Sequence, residues 1–347
     1  MRKVIGITLV AVLTAGCTAA GAAKAPRKPP RTTTTTSSTT TSTTTSTTTS
    51  TTTSTTTTTP GGGGTSPTIG GCAVFPSDNA WNKDISTAPV DANSTNYINN
   101  ILANGGDYLH ADFGGGGAYG IPFVTVGSTT PQVPINFTAY GDESDPGPYP
   151  VPLNTPIEGG SNSNGDRHVI AVDTSRCKLY EMYRAFPRAD HWDADCGAVF
   201  SLSSNALRPD YWTSADAAGL PIFPGLVRYD EVAAGAIRHA LRFTVNATQR
   251  GFIHPATHFA SSSTDSNRPP MGLRLRLKAS YDISGYHGQS RVVLDALKRY
   301  GMIVADNGSN FFITGASDTR WNDTDLDQLK VVPGSAFEVV STGSIIH

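Results

Sequence analysis

Residues 32–59 contain only threonine and serine. Such a tract has no apolar area to bury and cannot offset the entropy of ordering its backbone. It splits the chain into a short leader and a long remainder, and every folded element must come from outside it. Residues 19–31 are small and basic, with Lys24, Arg27, Lys28 and Arg31 among prolines, and Pro60 followed by four glycines closes the tract. Residues 18–71 therefore read as a disordered stalk of the composition that carries O-linked glycans. The folded part is expected over 72–347, which is enough for one large domain or two small ones.

The leader has the order of an export signal. Arg2 and Lys3 precede an apolar run over 4–12 that is short for a membrane span, and Leu13-Thr-Ala-Gly-Cys17 follows. This ending resembles the bacterial lipoprotein box. The resemblance implies that residues 1–17 are a lipoprotein signal and that Cys17 is lipidated as the new N-terminus. The mature chain is then expected outside the cytoplasm, held on the bacterial cell membrane by its acyl chains alone. A net charge of −2 gives no support for a nucleic-acid partner. Three further cysteines, Cys72, Cys177 and Cys196, can supply one disulfide in an oxidising compartment. Cys177 could pair with Cys196 or with Cys72, and spacing does not choose. No pair has Cys-x-x-Cys spacing, so no structural zinc is expected, and no cofactor is implied.

Hydrophobic periodicity organises the remainder. Residues 93–102 and 290–300 repeat apolar side chains at helical spacing; Lys298 and Arg299 fall in the second helix's last turn and Gly301 just beyond it. Short alternating runs over 121–126, 133–140, 167–173, 178–185 and 198–202 read as strands. Residues 302–305 and 310–314 read as a hairpin joined by Asp306-Asn-Gly-Ser. The densest block is 228–284. There Ile237, His239, Leu241 and Phe243 oppose Arg238 and Arg242, and Leu273, Leu275 and Leu277 oppose Arg274, Arg276 and Lys278. Many short strands between Gly/Pro turns, with two or three helices, predict a mainly β single domain. An antiparallel β-sandwich or jelly roll with marginal helices is the expected form.

No Gly-x-Ser-x-Gly, His-Glu-x-x-His or Gly-x-Gly-x-x-Gly motif supplies a reaction. The candidates are therefore side-chain types. Glycoside hydrolysis uses two carboxylates, one as acid and one as nucleophile or base. Glu158 and Asp166 lie at the end of a long loop over 141–165, Glu181 lies inside the apolar strand Leu179-Tyr-Glu-Met-Tyr, and Glu231 follows Asp230. His239 is a further catalytic candidate. Arg167, His168, Arg238, Arg242, Arg276 and Lys278 are candidates to bind a substrate's polar groups, and Trp212 to stack on a sugar ring. His254 and His258 are four apart, but Pro255 argues against the helix that would make them a metal pair.

The order Arg-x-x-x-Arg, Ile-His, Leu-Lys-Ala is similar to the strand motifs of jelly-roll alginate lyases. It departs from them in lacking the middle glutamine, in shorter spacings and in a tyrosine one residue early. That likeness implies elimination from an acidic glycan by His, Arg and Lys. The phrases Arg228-Tyr-Asp-Glu-Val and His239-Ala-Leu-Arg-Phe-Thr resemble an uncharacterised family of secreted bacterial proteins, which brings no activity with it. The reading is a surface-anchored enzyme whose partner is an extracellular polysaccharide, with glycoside hydrolysis first and elimination second. A non-catalytic carbohydrate-binding or adhesion lipoprotein is the third form.

Overall fold

The computed structural model describes residues 66–347. The signal segment, Cys17 and stalk residues 18–65 lie outside the described residues. Strands β1 (Thr68–Ile69) and β2 (Cys72–Ala73) form a short ribbon, the first of them inside the stretch expected to be stalk. Helix α1 (Ser94–Ala103) follows, then β3 (Phe123–Val126), β4 (Ile135–Phe137), β5 (Val169–Asp173), β6 (Lys178–Tyr183), β7 (Phe186–Pro187), β8 (Trp192–Ala194) and β9 (Cys196–Ser201). The second half adds α2 (Tyr229–Ala233), β10 (Leu241–Val245), β11 (Arg274–Leu277), α3 (Gly288–Arg299), β12 (Met302–Asn307), β13 (Phe312–Ile313), α4 (Asp323–Leu326) and β14 (Phe337–Val340). The fold is mainly strand with few helices. Its larger sheets run in the orders β3-β5-β6-β9, β4-β8-β7 and β13-β10-β12-β11-β14.

The pairings are not all antiparallel, as had been expected. β3–β5, β4–β8 and β10–β12 run parallel. Parallel neighbours need a long return connection, and this chain supplies one each time through intervening elements: β4 between β3 and β5, β5 to β7 between β4 and β8, and β11 with α3 between β10 and β12.

The four-stranded sheet is buried on both faces, and its side chains alternate between two cores. In β5, Ile170 and Val172 enter the main core, while Val169 and Ala171 enter a second one. In β6, Leu179 and Tyr183 face the main core, and Tyr180 and Met182 the second. By the same period Glu181 points to the main-core side. The second core is completed by Trp192 and Ala194 of β8 and by Tyr149, Val151 and Ile157 of the loop over 141–165. Through these residues the loop is packed against the sheet.

Two expectations about the second half are corrected. Residues after β12 do not turn back as a hairpin. β10 lies between β12 and β13, pairing parallel with one and antiparallel with the other. The Asp306-Asn-Gly-Ser turn therefore carries the chain around the end of β10. The arginines of β11 face neither solvent nor a groove, because residues 80–88 cover them. Arg274 donates to the carbonyls of Ala80, Lys83 and Tyr300. Arg276 donates to the carbonyls of Ile85, Ser86 and Ala88 and pairs with Glu338 at 2.8 Å. These guanidiniums take up backbone acceptors that would otherwise be buried without donors. The tryptophans follow the same pattern: Trp81, Trp192 and Trp321 are buried, and Trp212 is half-buried.

The disulfide joins Cys72 to Cys177, with a Cα–Cα distance of 5.5 Å across 105 residues. Cys196 is outside it; its buried thiol donates to the Ser214 carbonyl at 2.8 Å. The bridge fastens the first ribbon to the β5–β6 turn. Opening a loop this long releases conformational entropy to the unfolded chain. The Cys72→Ser, Cys177→Ser double variant should lose about 2–4 kcal/mol. Urea unfolding midpoints of the two proteins measure it; coincident midpoints would show that the bridge contributes nothing.

Candidate active site

The site forms where the loop over 141–165 enters β5, and Arg167 builds it. Arg167 has φ of 52°, a left-handed conformation that costs free energy in a non-glycine residue. Its guanidinium donates to the carbonyls of Ser161 at 2.9 Å, Ser163 at 2.7 Å and Ala185 at 3.1 Å. It also stacks over the Phe186 ring at 4.2 Å. Burial, and next the Arg184 charge, lower its pKa. Arg167 thus rivets the loop to the β6–β7 corner and fixes the residues on either side of it, Asp166 and His168. Asp166 is held further by its carbonyl, which accepts from the Arg184 amide at 2.8 Å.

His168 is buried. Its Nε2 lies 3.0 Å from the Ala215 carbonyl. A carbonyl can only accept, so Nε2 carries a proton. Its Nδ1 lies 2.6 Å from Oε2 of Glu158, and the Glu158 amide donates to the His168 carbonyl at 3.0 Å. One oxygen each of Glu158 and Asp166 and a ring nitrogen of His168 all lie within 4.8 Å of one another. The Glu158 side chain is 27% exposed, and Asp166 is half-buried, so neither residue is wholly enclosed, although burial is the largest influence on the Glu158 carboxyl. Burial opposes the charge on His168, but Glu158 and then Asp166 outweigh it and lift its pKa to about 10. Burial likewise opposes charge on Glu158, and His168 with Arg242 holds it below the usual carboxylate range. At neutral pH the pair is a carboxylate on an imidazolium.

A buried polar seam lies behind it. Arg242 of β10 meets both oxygens of Asp216, at 2.9 and 2.7 Å. It also donates to Oγ1 of Thr314 at 2.6 Å and stands 3.9 Å from Asp306. Burial would lower the Arg242 pKa, but Asp216 and Asp306 raise it. Glu181 belongs to the same seam. Its carboxyl accepts from the amides of Ile222 and Phe223 at 2.8–3.0 Å. Complete burial is the larger influence there, and it pushes the Glu181 pKa up to about 7.

The remaining candidates sit in other networks. Glu231 pairs with His239 Nε2 at 3.0 Å and with Arg228 at 3.0 Å, and Nδ1 of His239 is 2.8 Å from the Ala240 carbonyl. Burial opposes charge on Glu231, yet His239 and Arg228 lower its pKa. Arg238 is exposed. Arg276 is engaged as described, and Lys278 donates to the Ser335 carbonyl at 2.8 Å. Trp212 lies with its ring 5.7 Å from the Arg208 guanidinium. His254 and His258 do not face one site: His254 pairs with Asp210 at 2.8 Å, and His258 bonds the Ala217 carbonyl at 2.8 Å. The structure therefore brings Glu158, Asp166 and His168 together, with Arg167 in support and Arg242 behind. Asp216 and Asp306 escaped the sequence reading. An aspartate within Ser214-Ala-Asp-Ala-Ala, too apolar a run to leave a charge unpaired, was the signal for the first of them.

No protein family, curated protein or solved structure matches the chain.

Glu181 gives a pH dependence with a definite sign. Its folded pKa, about 7, is above its usual value of 4.5. Its contribution to stability is therefore complete below pH ~4.5 and is lost as pH rises towards ~7, because the folded state binds more protons in that window. Glu181→Gln should remove this decline while keeping the side chain's shape. Unfolding free energies of both proteins at pH 4.5 and 7 test it; parallel profiles would show that Glu181 does not titrate in that window.

Proposed function

We propose that the protein is a lipid-anchored, extracytoplasmic hydrolase that cleaves an extracellular polysaccharide at the Glu158–Asp166 pair. The observation that supports this most is that two partly exposed acidic residues have carboxylate oxygens within 4.8 Å of each other. Retaining glycosidases hold their two carboxyl groups about 5–5.5 Å apart, and inverting ones need more room for a water. Glu158 is kept ionised by His168 and Arg242, which suits a nucleophile. It attacks the anomeric carbon, and Asp166, an anion beside His168 in the resting site, must first take up a proton from solvent, which it then gives to the departing oxygen. Water then cleaves the glycosyl–Glu158 ester, with Asp166 taking the water's proton. His168 and Arg167 act by position, His168 through Glu158 and Arg167 through the loop.

The surroundings fit this reading. Cys17 as lipid attachment and the Thr/Ser stalk would hold the domain away from the membrane, within reach of a bulky substrate. The main core takes in residues of both the four- and the five-stranded sheet, and a sandwich-like single domain is the architecture we propose for it. Arg276, Lys278 and His239, on which elimination would depend, are occupied by protein groups. For that reason hydrolysis is preferred.

The full-length protein, incubated with a panel of neutral and acidic polysaccharides, should release reducing ends from at least one of them. Glu158→Gln and Asp166→Asn should each lower kcat by roughly 10²–10⁴-fold, with the folded state intact by circular dichroism. Full activity in both variants would move the chemistry elsewhere. Binding without product across the panel would leave a carbohydrate-binding lipoprotein.

A further inference from the structure

The same three side chains have a second chemical capacity, which does not depend on sugar chemistry. His168 has its Nε2–H tied to the Ala215 carbonyl at 3.0 Å. Metal-bound histidines are oriented in the same way, by a backbone carbonyl or carboxylate on the ring nitrogen away from the ion. This leaves Nδ1 as the ring's only ligating atom, and Nδ1 faces Glu158 at 2.6 Å. One imidazole nitrogen and two carboxylate oxygens lie within a 4.8 Å span. No second group of three such residues with this closeness occurs among the described residues.

We propose that Glu158, Asp166 and His168 form a binding site for a divalent transition-metal ion of the zinc class, and that the ion silences the carboxylate pair. The ligand set selects the class. Imidazole suits Zn²⁺ and its first-row neighbours, whereas Mg²⁺ prefers an all-oxygen shell and keeps its waters. Three protein ligands leave a fourth position for water. The ion takes the place of the Nδ1 proton, which leaves to solvent.

The required movement is small. Two ligands at a tetrahedral zinc, each about 2.0–2.1 Å from it, stand roughly 3.3 Å apart. Nδ1 and Oε2 now stand at 2.6 Å, so they must separate by less than an ångström, and the Asp166 oxygen, which lies within 4.8 Å of the other ligand atoms, must approach by up to about 1.5 Å. His168 cannot give way, being buried and tied at Ala215. Glu158 can, because its side chain is partly exposed and lies on a loop. Arg167 holds Asp166 and His168 in register throughout, since its own contacts are all to backbone carbonyls and Phe186. An ion so placed draws on a lone pair of each carboxylate, and neither can then act as nucleophile or acid. This silencing rests on the hydrolytic reading of the pair; the ion site itself does not.

Calorimetric titration of the full-length protein with Zn²⁺ tests the site. One ion per chain is expected, with no comparable binding of Mg²⁺. Glu158→Gln and Asp166→Asn, whose side chains reach solvent and leave the buried ring alone, should each weaken zinc about tenfold or more. Absence of zinc binding would overturn the site. Equal zinc affinity in native protein and both variants would do the same, marking an adventitious surface ion. A polysaccharide assay tests the silencing: zinc should suppress hydrolysis and EDTA should restore it. Hydrolysis that rises with zinc would overturn the silencing. If no polysaccharide is cleaved while the variants still lose zinc, the glycan reading falls and the ion site stands.

Discussion

A guanidinium enclosed between β-sheets is tolerable only with its charge answered, and Arg242 sets that condition for the middle of this molecule. Moving a charge from water into a protein interior costs several kcal/mol, and an excellent partner must offset it. Asp216 supplies that partner through both oxygens, and Thr314 satisfies a further nitrogen. The consequences spread outward. Asp216 must be delivered by the chain between β9 and β10, and that segment also delivers the Ala215 carbonyl to His168. Ile222 and Phe223, a few residues on, cap Glu181. One connection thus services three buried polar side chains: Arg242 of β10, Glu181 of β6 and His168 just before β5. The sheets cannot shift against each other without leaving one of them unmatched.

What could be read in the sequence was the part governed by local period. α1 and α3 fall within one or two residues of the helices that apolar spacing gives. β5 and β6 pair around Asp173-Thr-Ser-Arg-Cys177 as their alternation implies. What could not be read was decided by distant chain. The turn after β12 has hairpin chemistry, but β10 occupies the place that a hairpin partner would take. The arginine row of β11 has the alternation of a half-exposed strand. It is covered by residues 80–88, nearly two hundred positions earlier. Charge in the pattern marked side chains needing hydrogen-bond acceptors, and backbone carbonyls met that need as well as solvent would have. At the site, Glu158, Asp166 and His168 were each visible as candidates, since they flank the end of one long loop. Their convergence was not visible, because it depends on a left-handed arginine whose three acceptors no spacing rule reveals.

Glu158 and Glu181 show how the fold assigns different states to the same functional group. Both are glutamates beside strands of one sheet, and both feel the desolvation that favours the neutral acid. Glu181 is answered by two backbone amides, which are dipoles, and burial prevails. Glu158 is answered by an imidazolium at hydrogen-bond distance with Arg242 beyond it, and those full charges prevail over burial. Glu158 also keeps part of its side chain in solvent, while Glu181 is entirely enclosed.

That difference separates structure from chemistry among these carboxylates. A side chain with no path to solvent that accepts from the Ile222 and Phe223 amides can specify how β6 meets the segment after Asp216. It cannot meet a substrate. Glu158, held ionised by His168 and partly exposed, is the one of the two that the proposed hydrolysis and the proposed ion site call on. Under those proposals His168 would decide between them, because its Nδ1 can hold a proton or an ion on the same lone pair but not both. The strain stored at Arg167 has a use in this light. Relaxing its backbone would let Asp166 and His168 turn apart. The convergence of Glu158, Asp166 and His168 therefore depends on the three carbonyl contacts that hold Arg167 in this conformation.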